Sequence, residues 1–561
     1  MQLILVVMGA IVVTAVARRR GLEPALILVV VGFVVSFMPE FTGIELESEV
    51  LLTVVLPPLL YSAALNFSVP SFLRNIRPIL GLGVGLVVIT AFAVAGVATW
   101  LVPTVTFATA LVLGAVVAPP DAVTAVAVGR KLGLPRKVMA ILTGESLIND
   151  AAALTLFSVA VAQVAGSHKF IGNPLLLFAY SAVLGPLVGA GLGFITLWIR
   201  RRLASPGLET IQGLMVPFAA FISAEHLHAS GVLAVVVAGF VVGHGSLDAG
   251  YQTRLQERYV WNALDVLLEA FVFAYIGLQL RFVLEDLIVA HESLVKVGLA
   301  SIVVLAVVLA IRPACVFLMF GRGVLARQVE TQLSVQVSTR GGRGVLGRKQ
   351  RRDPPRRWRA FAAGRSLTWQ ESAVVSWTGM RGVVTLAAAS GIPLTTVSGD
   401  PFPERATIQA LAFAVSVGTL LLQGWTLPPL IRRLQLSPEQ DREREFAETT
   451  KAERIVYEAA DAALEDFDEN PPPGLDSGTV AEIRHIIARH ARDADRMPDP
   501  ESATPQAEAF SALYRRVLGA QRAALIGERD AGGIDDEAVR AMLERLDLQE
   551  ASVTARLGSR L

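Results

Sequence analysis

The sequence predicts an all-α, polytopic membrane protein of about thirteen transmembrane helices with a helical cytoplasmic tail. Three observations predict it. Apolar residues make up 53% of the chain and charged ones only 18%, below the roughly 25% of a soluble protein. The apolar residues come in runs of about 17–25, the length that crosses a hydrocarbon core of roughly 30 Å; barrel strands would show short alternating segments instead. Basic residues gather in every second loop.

Hydropathy places the spans near 2–17, 22–38, 51–66, 79–102, 107–129, 138–165, 174–199, 208–226, 229–244, 261–281, 294–320, 372–395 and 406–431. The first has no basic region ahead of it and no cleavage site, so it reads as a retained span and not a signal peptide. The loops test the count. Arg18, Arg19 and Arg20 follow span 1, Arg74 and Arg77 span 3, and Arg130, Lys131, Arg136 and Lys137 span 5. Arg200, Arg201 and Arg202 follow span 7, Arg254 and Arg258 span 9, and Arg432 and Arg433 span 13. After span 11, residues 322–370 hold twelve Arg/Lys against Glu330 and Asp353, a solvated or headgroup-contacting loop. The loops between these are poor in basic residues. The positive-inside rule then puts the N-terminus outside and the C-terminus in the cytoplasm, and a miscount by one span would break the alternation.

From about residue 432 onward the composition changes. Residues 437–470 are charged and helix-forming, Pro471-Pro472-Pro473-Gly474 is a break, and 475–561 alternate charge with small apolar residues. The expected domains are a membrane domain over 1–435, containing the basic loop 322–370, and a helical cytoplasmic domain over 436–561. The tail reads as a stabilising or dimer-contacting appendage, with regulation as the alternative. The net charge of +1 says nothing of partners, being unevenly spread. One cysteine, Cys315, excludes an intrachain disulfide framework and a Cys-rich metal site. Walker A, dinucleotide and HExxH motifs are absent, so neither a cofactor, nor a nucleic acid, nor an enzymatic activity is expected.

Ionisable side chains at bilayer depth mark function by default. The candidates are Asp121, Glu145, Asp150, Glu225, Asp265, Glu269, Arg312 and Arg381. Glu225, Asp265 and Arg312 read as span-end residues that snorkel to the interface. Asp121 follows Pro119 and Pro120 in mid-span, where two missing amide donors break the helix and free carbonyls. A broken helix beside a carboxylate is the pattern of a transporter's midplane site. In GESLIND (144–150), Ser146 and Asp150 share one helix face, and Glu145 and Asn149 the next. Arg381, flanked by Gly379 and Gly382, is the expected counter-charge of Glu145. Asp150 is then left to bind either a proton or a small hard cation, with Ser146, Asp121 and freed carbonyls completing the shell. Competition of two loads for one carboxylate is the physical core of cation/proton exchange. A purely architectural polar network is the alternative.

At GAVVAPPDAVTAV (114–126), GESLINDAAAL (144–154), EAFVFAYIGLQL (269–280) and the GMRGVVTLA segment around Arg381, the chain resembles the cation:proton antiporter family, in its sodium/proton exchanger branch. The resemblance covers roughly residues 1–435. It implies inverted repeats, two crossed broken helices, and a homodimer working by alternating access. It implies Asp150 as the cation- and proton-binding carboxylate, with Asp121 as its neighbour, both on the transported Na⁺. Asn149 marks the Asn-Asp subgroup, which is electroneutral. Glu145 and Arg381 would form the structural ion pair, and Glu269 and Ser62 would be accessory positions. Pro120 stands where relatives carry Thr or Val, and Ser62 where many carry an acid, so the preferred cation stays open. The expected activity is electroneutral exchange of cytoplasmic Na⁺ (or Li⁺) for external H⁺ across the plasma (inner) membrane, in pH and cation homeostasis. K⁺/H⁺ or broad monovalent cation exchange is one alternative. An intramembrane aspartyl protease using Asp121 and Asp150 is another, although neither aspartate has a Gly-x-Gly-Asp setting. A channel is disfavoured by the lack of a carbonyl filter sequence.

Overall fold

The computed structural model describes residues 2–22, 24–38, 51–102, 105–121, 123–166, 171, 173–203, 205–246, 249–289, 293–339, 367–436, 439–469 and 505–558. They divide into two compact units: Met1–Arg202, Ile211–Gly243 and Val260–Leu436 form one, and Leu203–Thr210, His244–Tyr259 and Ser437–Leu561 the other. Among the described residues the regular elements are helices, apart from an isolated Thr395–Pro401 bridge.

The first unit is built from α1 (Gln2–Arg19), α2 (Pro24–Val35), α3 (Leu51–Leu65), α4 (Val69–Arg74), α5 (Ile76–Leu101), α6 (Phe107–Val117), α7 (Val123–Leu132), α8 (Arg136–Ala165) and α9 (Pro174–Arg200). It continues with α10 (Pro206–His226), α11 (Gly231–Gly245), α12 (Tyr251–Val289), α13 (Leu294–Thr339), α14 (Trp369–Trp377), α15 (Val383–Ser390) and α16 (Arg405–Leu434). α10 and α12 begin in the second unit. Among the described residues, seven helices are long and apolar enough to cross a membrane: α5, α8, α9, α10, α12, α13 and α16. The shorter apolar helices are α2, α3, α6 and α11.

Small residues set the packing, because without a water-driven force helices in lipid gain by close approach. Gly114 of α6 lies against the Ala91 carbonyl of α5, and Gly32 of α2 faces Gly277 of α12; a Cβ at any of the three would collide with backbone. A π-helical stretch in α5, Gly81–Leu86, packs against α8, with Gly83 against Ile148. Outward faces are apolar. Trp198, Phe194 and Leu187 of α9 are exposed, and Trp100 and Trp425 are 80% and 83% exposed, which suits lipid rather than water.

Three spans differ from the hydropathy reading: the first is α13, which runs on to Thr339, past the expected edge at 320 and into the segment expected as basic loop. α12 starts at Tyr251, about ten residues before the expected edge at 261, because YQTRLQERYV is polar yet helix-forming. The span expected over 372–395 is two helices, α14 and α15, interrupted at Thr378–Gly382. α14 opens on a capping box of Thr368 and Glu371. Most of the basic loop (340–366) and the Pro471–Gly474 break lie outside the described residues.

In the second unit α17 (Glu439–Glu469), α18 (Pro505–Asp530) and α19 (Asp536–Gly558) form a bundle. Leu464, Phe467, Leu513, Val517, Leu525, Val539, Leu543 and Leu546 make its core. Gly532, at φ +74°, turns α18 into α19. Asp547 of α19, 2% exposed, accepts from Arg254 at the start of α12 and from Arg522 of α18 at 2.8 Å. Arg522 also reaches Glu550 at 2.6 Å.

Candidate functional site: two interrupted helices crossing at buried carboxylates

The site starts from the Pro119-Pro120 break between α6 and α7. In an unbroken helix the Asp121 amide would donate to the Val117 carbonyl. Here it donates to the Met380 carbonyl at 2.6 Å, in the gap between α14 and α15. The abandoned Val117 carbonyl accepts from Arg381 Nε at 2.9 Å. Arg381 also bonds the Gly379 carbonyl and reaches the Ala118 carbonyl at 3.5 Å. Each break therefore supplies what the other lacks. α16 holds the second break in place, with Thr419 Oγ1 accepting from the Arg381 amide at 3.0 Å and Ser416 Oγ donating to its carbonyl at 3.1 Å.

α8 runs past this crossing. Asn149, 0% exposed, donates from Nδ2 to the Pro120 carbonyl at 2.6 Å, a further carbonyl of the break. Asp150 is 7% exposed and lies within electrostatic reach of Asp121. Among the described residues no basic side chain pairs with Asp150. Ser146 is half-buried one turn before Asp150 on the same face. Asp121 is half-buried, its carboxylate set against Gly382 at the start of α15, where a Cβ would collide with Oδ2. The positive end of a helix dipole suits that carboxylate.

The expected pairing of Glu145 with Arg381 is corrected by the structure. Glu145, 1% exposed, is held by both Nη atoms of Arg312, one of them at 3.0 Å. Arg312 Nε also donates to the Val375 carbonyl in the last turn of α14 at 2.9 Å. The reason is the carbonyl count: each first half-helix ends in orphan acceptors, and an arginine serves each. Arg381 is committed to α6 and Arg312 to α14, and Arg312 keeps a face for Glu145. Arg312 is thus no snorkelling residue; it is 3% exposed. The available signal was its place inside a continuous apolar run, directly before Pro313.

Asp265 also departs from the span-end reading. It lies within α12 and accepts from Ser62 Oγ of α3 at 2.7 Å. Ser62 therefore gives its hydroxyl to Asp265 and not to Asp150. Glu269 is half-buried one turn further along α12. Glu225 stays close to a helix end, where it accepts from the Gly231 amide at 3.2 Å. Among the described residues no cluster of three or more metal-ligating side chains occurs.

An all-helical apolar unit in which two interrupted helices cross beside buried carboxylates is a secondary membrane transporter in its architecture. The family model of the transmembrane sodium/hydrogen exchanger matches residues 4–433, and the chain belongs to that family. It is 30% identical to an uncharacterized Na⁺/H⁺ exchanger of Mycobacterium tuberculosis, over 98% of this chain and 95% of that one. It is 28% identical to the low-affinity Na⁺/H⁺ antiporter NhaS1 of Synechocystis, over 81% and 77% of the two chains. In fold it is similar to the sodium proton antiporter MjNhaP1 from Methanocaldococcus jannaschii, with a TM-score of 0.57 at 18% identity, covering 77% of this chain and 97% of that one. The family is one of transporters, and the chain is a multi-pass membrane protein.

Proposed function

We propose that the chain is an electroneutral antiporter that moves cytoplasmic Na⁺ or Li⁺ out in exchange for external H⁺ by alternating access, with Asp150 as the carrier carboxylate and Asp121 as its neighbour. One observation carries this: Asp150 is a buried acid beside a second acid, and the two nearby arginines are already committed. Arg312 neutralises Glu145. Arg381 leaves a single positive charge against Asp121 and Asp150. The fully ionised site is short of one positive charge, which either one Na⁺ or one proton supplies. Asn149, a neutral amide bonded to Pro120, keeps the deficit at one. Glu145 and Arg381 are structural, Ser146 and Asn149 line the site, and Ser62 and Glu269 are accessory. The absence of a nucleotide motif leaves ion gradients as the driving force.

The basic loops support thirteen crossings in the inner membrane, with the N-terminus outside and residues 436–561 in the cytoplasm. Residues 1–435 are the transport domain, with 322–370 as its basic cytoplasmic loop, and the exposed apolar faces of α1 and α9 offer area for a homodimer or lipid. The family's relatives named as Na⁺/H⁺ antiporters favour Na⁺ over K⁺ as cargo.

The test uses everted vesicles with a ΔpH-sensitive dye and additions of Na⁺, Li⁺ and K⁺ across about pH 6.5–9, a range that brackets shifted carboxylates. Na⁺ and Li⁺ should collapse the gradient, with an apparent KM that rises as pH falls because protons compete for Asp150. Asp150→Asn should abolish the response. A wild-type response in Asp150→Asn would sink the assignment, a response to K⁺ alone would change the cargo, and a dependence on clamped membrane potential would rule out one-for-one exchange.

A further inference from the structure

Thr385 is the third residue of α15 and is 1% exposed. Its Oγ1 has no hydrogen-bond partner among the described residues. A buried hydroxyl without a partner is costly, and native structures rarely leave one without a reason. Other helical threonines in this chain avoid the cost: Thr14, Thr99, Thr155, Thr196 and Thr210 each donate to the carbonyl four residues back. Thr385 lacks that option. Four residues back is Arg381, ahead of a non-helical Gly382 (φ −133°, ψ −134°) and outside the helix. The Arg381 carbonyl already accepts from Ser416. The interruption that orphans carbonyls also orphans this hydroxyl.

Its position gives it a direction. Gly382 and Thr385 are the N-cap and third residues of α15, and residues three apart share a helix face. That face fronts Asp121, whose Oδ2 occupies the space a Gly382 Cβ would take. α8 brings a second buried oxygen of the same kind. Asn149 Oδ1 also has no partner among the described residues, while the same amide's nitrogen is tied to Pro120, next to Asp121. Two neutral oxygens with unused lone pairs, one from each element that meets the aspartates, form a donor set for a hard monovalent cation. A protonated Asp150 can donate one hydrogen bond to one of them, whereas a cation can take both oxygens at once.

We propose that Thr385 Oγ1 is a ligand of the transported Na⁺ or Li⁺, contributed by the second interrupted helix together with Asn149 Oδ1 from α8. This deepens the antiport reading and rests on it. Thr385 then strengthens cation binding more than proton binding, which makes it a determinant of the competition between the two.

Thr385→Val keeps shape and branching and deletes the hydroxyl, while Thr385→Ser keeps the hydroxyl. In the vesicle assay Thr385→Val should raise the apparent KM for Na⁺ and Li⁺ on the order of tenfold, the ratio given by about 1.4 kcal/mol, with the rate at saturating cation preserved. Thr385→Ser should stay near wild type. In the purified full-length protein, NaCl or LiCl against choline chloride should raise the wild-type melting temperature, and that rise should shrink in Thr385→Val while its cation-free melting temperature holds or increases. A Thr385→Val protein with unchanged KM and an unchanged Na⁺-dependent rise overturns the assignment. So does one that loses only maximal rate. A wild-type protein that exchanges no cation overturns the antiport reading and this assignment with it, whereas normal wild-type exchange with an indifferent Thr385→Val overturns this assignment alone.

Discussion

At the scale of residues, the site is an allocation of two positive charges among more acceptors than they can serve. Glu145 and Arg312 are 1% and 3% exposed, and removing one member of such a pair leaves an uncompensated buried charge at a cost of about 3–5 kcal/mol. That is comparable to the whole margin of a folded domain, about 5–15 kcal/mol. Arg312→Ala should therefore lower the yield of folded protein about as much as Glu145→Ala, and joint replacement by Met and Leu should recover more protein than either single change. Size-exclusion profiles of detergent-solubilised variants measure this. A normal yield for Arg312→Ala would show that the pair does not stabilise the fold. The sequence marked Glu145 and Arg381 as buried charges but misplaced Arg312 at a span end, and so missed who pairs with whom. Arg381 and Arg312 both lie in apolar runs, and the choice between them turns on backbone carbonyls that no residue letter records.

At the scale of elements, the two interruptions differ in how they are written. The α6–α7 break is legible, because Pro119 and Pro120 remove two donors in a row. The α14–α15 break contains no proline. Gly379 and Gly382 hint at it, but the stronger punctuation in that span, Gly391-Ile392-Pro393, only ends α15, where the helix stops at Ser390. Gly382 is what the break needs, since a Cβ there would collide with Asp121 Oδ2. Gly382→Ala should displace that carboxylate and remove most exchange activity. The added Cβ would also stand 2.9 Å from Asp121 Cβ, which rotation of the carboxylate does not relieve, so the variant should lose some thermal stability as well. Transport and melting measured on the same preparation separate the two effects, and full activity in Gly382→Ala would mean that Asp121 need not sit against α15.

At the scale of the whole molecule, periodic charge and hydropathy carried the class and most spans, while the extent of the second unit was hidden. Composition changes from about residue 432, yet that unit also takes in Leu203–Thr210 and His244–Tyr259. The link is ionic. Arg254 and Arg522 converge on one carboxylate, Asp547, and both are largely buried. Partners some 290 residues apart leave no local pattern to read. Asp547→Ala takes the carboxylate from Arg254 and leaves Arg522 with Glu550 alone, and should destabilise this unit by about 3 kcal/mol. Limited trypsin digestion of the intact chain should then cut within α17–α19 at earlier times than in the wild type. An unchanged digestion pattern would show that the bundle core, not Asp547, holds the unit together.

The reciprocal bonds at the crossing, Asp121 amide to Met380 carbonyl and Arg381 Nε to Val117 carbonyl, have a mechanical consequence. They rivet two otherwise weak points into one stiff joint. Neither break can flex without stripping the other of its partner, so bending there costs both bonds at once. Under the proposed alternating-access cycle, the bending that admits ions from either side then falls outside this joint.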